Sequence, residues 1–121
     1  MLLLSDGMDR SSRLTFEQSL ECARRAGIAV YAVGLGLLDG AKGEAGEKLR
    51  RMAAETGGRS YFVESTAELD GIYQQIEREL RSQYRISYQS SNNSPKDGFR
   101  AVRVEVAQKG MEARTISGYY P

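Results

Sequence analysis

The sequence predicts an α/β fold, a partial doubly wound parallel sheet followed by a C-terminal antiparallel β extension, and three observations carry the prediction. Ile28 to Val33 is apolar at every position, the mark of a strand covered on both faces of a parallel sheet. Apolar strand-like runs alternate with helical periodicity in the order βαβαβα as far as Gln83. Beyond Gln83 the apolar spacing changes to a period of two, which belongs to strands half-buried on one face.

The elements follow in order. Leu2-Leu3-Leu4 reads as a buried strand that Ser5-Asp6-Gly7 turns out of the sheet. Thr15 and Gln18 stand at capping-box spacing, Phe16, Leu20 and Ala23 share one helical face, and Gly27 stops that helix. The strand Ile28–Val33 leads into a glycine-rich loop, Gly34 to Gly46, over the carboxyl end of the sheet, where such folds place ligands. A helix from about Glu47 to Thr56 turns Leu49, Met52 and Ala53 inward and is closed by Gly57-Gly58. Ser60–Glu64 is the next strand. Ser65 and Glu68 form a second capping box ahead of a helix with the apolar stripe Leu69, Ile72, Tyr73, Ile76 and Leu80.

In the tail, Tyr84, Ile86 and Tyr88 alternate, and a turn cluster fills Ser90 to Gly98. Val102, Val104 and Val106 alternate again, Lys109-Gly110 makes a tight turn, and Met111–Tyr119 returns as the partner strand. The organisation expected is an α/β unit over 1–83 and an antiparallel β extension over 84–121.

Composition removes several chemistries. The 121 residues contain no histidine and one cysteine, so no Ser-His-Asp triad, Cys-His pair, imidazole base or thiolate zinc cluster exists. Cys22 lies beside the apolar face of the first helix and reads as a small hydrophobe. With 17 Lys and Arg against 16 Asp and Glu, charge is balanced and interspersed, and no nucleic-acid partner is expected. Arg24-Arg25 and Arg50-Arg51 read as solvated helix faces. No apolar run approaches the ~20 residues of a membrane span, and no membrane insertion is expected. Localisation stays open.

Few motifs carry chemistry. Gly34-Leu35-Gly36 lacks the third glycine of a dinucleotide fingerprint, and Gly46-Glu47-Lys48 fails the spacing of a phosphate loop. Neither a nucleophile-base pair nor a carboxylate dyad is evident, so no catalytic residue and no enzyme activity is expected. Tyr84, Tyr88, Tyr119 and Tyr120 either pack the extension or offer edges to a ligand, packing being favoured. Ser5, Asp6 and Asp9 bring a hydroxyl and two carboxylates to the carboxyl end of the first strand. Hard cations take such oxygens, and the same residues equally make an ordinary Asx-type turn.

The run Leu2 to Asp9, the helix after it and Ile28 to Gly36 together resemble the second half of a von Willebrand factor A domain. Leu49 to Gly58 and Ser60 to Val63 are similar to that family's next helix and strand. Tyr84 to Gln89 and Gly118 to Pro121 resemble the β extension of the bacterial VWFA-related, acidobacterial-type subgroup. The resemblance implies a Rossmann-like sheet and a metal ion-dependent adhesion site for Mg²⁺, or Mn²⁺ or Ca²⁺ in its place. Asp6 matches the family's Asp after the fourth strand, and Ser5 and Asp9 are supporting positions in the same loop. The family's Asp-x-Ser-x-Ser and Thr loops have no counterpart in the chain, so the implied site is incomplete and any cation weakly held.

Two functions are thus expected: a protein-binding, adhesion-type module whose cation meets an acidic residue of the partner, or a metal-independent, self-associating module built on a truncated domain. In the second, the unpaired strand edge at Leu2–Leu4 makes a homo-oligomer. The resemblance also implies an exported parent protein.

Overall fold

The structure, a computed structural model, describes residues 1–6, 12–37, 42–91 and 98–120. Along the chain run β1 (Leu2–Ser5), α1 (Phe16–Arg25), β2 (Tyr31–Leu35), α2 (Glu44–Thr56), β3 (Ser60–Val63), a 3-10 turn (Thr66–Glu68), α3 (Leu69–Arg81), β4 (Arg100–Ala101) and β5 (Gly118–Tyr119). The expected α/β class is present, with a three-stranded parallel sheet in the order β1-β2-β3 and a separate antiparallel pair, β4 and β5.

Both capping boxes form or hold their key bond. Gln18 N donates to Thr15 Oγ1 at 3.2 Å and Thr15 N to Gln18 Oε1 at 2.8 Å, which satisfies two of the donors orphaned at the start of α1. Before α3, Glu68 Oε1 accepts from Ser65 N at 3.2 Å and Glu64 N at 3.1 Å. Helix α2 starts at Glu44 rather than Glu47, with Gly43 as its cap. Its end is the expected glycine: Gly57, at φ 79°, turns the chain in the left-handed region that side chains disfavour.

The sheet is wound on both faces, as its register shows. Leu2 pairs with Tyr31 and Leu4 with Val33, while Val33 also pairs with Tyr61 and Leu35 with Val63. Tyr31, Val33, Tyr61 and Val63 therefore share one face, where Ile76, Leu69 and Ile72 of α3 cover them. The alternate residues Val30 and Ala32 face the other side, against Leu20 of α1 and Leu49, Met52 and Ala53 of α2. Each large apolar side chain buried in these layers contributes about 1.5–3 kcal/mol relative to exposure. Gly58 lets the two layers meet, since a Cβ there would lie 2.0 Å from the carbonyl oxygen of Val30.

The tail corrects the sequence reading. No strand is present over 84–91, and Tyr84 is 93% exposed. The pairing expected between Val102–Val106 and Met111–Tyr119 is confined to Arg100 with Tyr119 and Ala101 with Gly118, followed by one bond from Val102 N to Ser117 O at 3.0 Å. The reason is competition for the returning arm: Ser117 N donates to Glu55 O at 3.2 Å, its hydroxyl donates to the same oxygen at 3.0 Å, and the backbone of Thr115 sits over Gly57. That arm is bonded to the end of α2, so it cannot also complete a ladder with Val104 and Val106. The turn itself is as expected, with Gly110 at φ 81° and Met111 N donating to Gln108 O.

Candidate functional site

Parallel strands β1, β2 and β3 present their carboxyl ends on one rim of the sheet, and that rim is where the candidate residues fall. Ser5 is the last residue of β1, half-buried, and Asp6 follows it, exposed. Asp9 lies outside the described residues. At the same rim Gly34 takes the ring of Phe62 against its backbone, where a Cβ would lie 2.9 Å from Phe62 Cδ1. Gly36 N donates to Val63 O at 3.0 Å as the chain leaves the sheet at φ 57°. Glu44 opens α2 there. Its bond from Lys48 Nζ, 2.6 Å long, and then the charge of that ammonium hold the carboxyl below the usual carboxylate range.

Among the described residues no three His, Cys, Asp or Glu side chains converge on a point where a cation would sit. Ser5 and Asp6 offer one carboxylate and one hydroxyl, which is not a ligand set for Mg²⁺, an ion that demands near-octahedral oxygens. The described residues do not fit a resident cation, and no chemistry is assigned to one.

A more developed feature of the rim strand is its outer side. Leu3 turns toward α1 and α2, where it packs against both buried clusters on that face. Leu2 and Leu4 turn the other way, onto the face that α3 covers over β2 and β3, and remain 48% and 49% exposed. Among the described strands β1 has β2 on one side and no neighbour on the other.

The tyrosines divide. Tyr84 and Tyr88 are exposed, but Tyr88 donates to Tyr119 Oη at 3.1 Å, which pushes the Tyr88 phenol up and draws the Tyr119 phenol down. Tyr120 donates to Glu21 Oε2 at 3.1 Å and lies under the guanidinium of Arg25 and edge-on to Phe99. Packing is thus what Tyr119 and Tyr120 do. Two other readings change: Cys22, beside the apolar face, is exposed rather than packed as a small hydrophobe, and Arg24 is not a solvated charge. It pairs with Glu55, lies over the ring of Phe99, and has a buried Nε.

One feature has no signal in the sequence. An open cleft of about 570 Å³ is lined by the end of α2, the start of β3 and both arms of the tail, and Arg50, Arg59, Arg103 and Arg114 all border it. These arginines come from four separate stretches of chain, so no spacing announces them.

No protein-family model matches the chain, and no curated protein is similar to it. A solved structure described as an uncharacterized membrane spanning protein from Vibrio fischeri is similar, with a TM-score of 0.54 and 26% sequence identity over 65% of this chain. The match covers 45% of that chain, so the present chain spans less than half of its length. No helix among the described residues is long and apolar enough to cross a membrane.

Proposed function

We propose that the chain is a protein-binding module of the von Willebrand factor A type that works without a bound cation, by strand pairing at β1. The family reading is supported by the consecutive parallel order of β1, β2 and β3, by helices on both faces, and by Asp6 at the carboxyl end of β1. The mode of binding rests on β1 itself. Edge strands are ordinarily blunted with Lys, Pro or other charge, and Leu2–Ser5 contains none of these. Its Leu2 and Leu4 side chains stand half-exposed on a face that is apolar and covered one strand further in.

The occupant of that edge is a second copy of this chain. Two β1 strands related by a twofold axis oppose no like charges, and their pairing brings Leu2 and Leu4 of one copy beside those of the other. The sheet then runs continuously through both copies.

Sedimentation in buffer containing EDTA tests this. A dimer at micromolar concentration is expected, and Leu4→Lys is expected to return a monomer whose circular dichroism is unchanged. A native chain that is a monodisperse monomer would sink the proposal, and a dimer indifferent to Leu4→Lys would remove β1 from it. Dimers that form only with Mg²⁺ and are lost in Asp6→Ala would overturn the cation-free mode in favour of a site built on Asp6.

A further inference from the structure

We propose that the arginine-lined cleft beside the α2–β3 junction binds an extended acidic segment of a partner protein, which pairs as a strand with the open backbone of the tail. The surface is distinct from the β1 edge, and the proposal stands apart from the one made there.

The first observation is the shape of the tail. Its two arms are patterned to pair, yet their ladder ends at Val102 and Ser117. Val102 and Val104 line the cleft from one arm, and Ala113 and Thr115 from the other. A backbone that is patterned for a sheet and has no ladder partner is the ordinary receptor for strand addition, in which main-chain bonds give affinity and flanking side chains give selectivity. The cleft's volume is within the range of natural ligand sites. Gly57 and Gly58 are among its lining residues, and a Cβ at Gly57 would come within 2.7 Å of Thr115, so the second arm is seated close against the end of α2.

The second observation is charge. Four arginines and one glutamate, Glu112, line the cleft. Arg59 is committed to Glu79 at 2.8 Å, and Arg50 to Glu47 at 2.5 Å with its guanidinium over Phe62. Arg103 and Arg114 are less tightly held. Arg103 meets Glu105 at 2.8 Å, but its side chain is 86% exposed and water screens the pair, and Arg114 stands 3.9 Å from Glu112, too far for a good charge-assisted bond. Carboxylates spaced along a paired strand would meet these two guanidiniums, which suit planar, bidentate recognition. An extended acidic peptide satisfies both observations at once, whereas a compact anion would use the arginines and leave the backbone arms unused.

The probe is a fluorescein-labelled peptide alternating valine and glutamate, followed by anisotropy on the full chain. Saturable binding is expected, weakened at least about tenfold by combined Arg103→Glu and Arg114→Glu, and absent when lysine replaces glutamate in the peptide. A peptide N-methylated at alternate amides, tested on the native chain, is expected to lose binding because it cannot pair as a strand. Absence of saturable binding, equal affinity in the double variant, or equal affinity of the methylated peptide would each overturn the proposal. Displacement by inorganic polyphosphate at lower concentration than by unlabelled peptide would assign the cleft to phosphates and overturn it too. Self-association through β1, measured on the same double variant, is expected to be unchanged, so failure of one proposal is distinguishable from failure of the other.

Discussion

Thr56 shows how much one hydroxyl can organise. It is 1% exposed, donates to Met52 O at 2.7 Å and accepts from Val30 N at 3.0 Å, so it ties the last turn of α2 to the residue that enters β2. Val30 is itself fully buried, and its N–H has no water to turn to. Thr56→Val keeps the shape and removes the acceptor. The expected cost is about 1–3 kcal/mol in urea unfolding, with Thr56→Ser losing less because the oxygen is retained. The sequence marks Thr56 only as the end of a helix, since its partner lies 26 residues upstream and no local pattern joins the two. Leu20, Val33 and Ile76, by contrast, are all legible from periodicity, and all are buried.

Elements were legible where a local signal fixes them. The two capping boxes and Gly57 place the ends of helices through bonds made within a few residues, and those signals hold. Strand limits moved, from Ile28–Val33 to Tyr31–Leu35, because the sheet register with β1 and β3 decides which residues pair. The antiparallel tail is present but its strands are far shorter than expected, for the same reason carried further: Val102, Val104 and Val106 alternate, but the partner arm is drawn to α2. Packing between β3 and α3 has its own pH signature. Burial of Tyr61 first, and then the Glu79 carboxylate 3.5 Å from its hydroxyl, push that phenol above its ordinary value, with Arg59 opposing. A raised folded value means that the contribution is complete below the unfolded phenol's pKa of about 10 and is lost as pH climbs through the folded one. Urea midpoints are therefore expected to fall in that alkaline window, and to fall less in Tyr61→Phe.

At the scale of the whole molecule, the class and the helix-covered sheet were readable from sequence, while the arginine cleft was not, because it exists only once the tail lies against α2. That docking is expected to come late in folding. Ser117 reaches Glu55 across 62 residues and Tyr120 reaches Glu21 across 99, so the tail closes the longest loops in the chain's described contacts with α1 and α2. It binds the end of α2 and the side of α1 together, and contacts of such long sequence separation are expected to form after local ones. In stopped-flow unfolding and refolding, Tyr120→Phe is expected to speed unfolding and leave the refolding rate nearly unchanged, the pattern of a contact absent from the transition state. On that outcome the tail acts on lifetime: a native molecule assembled at the same rate is expected to persist for less time without it.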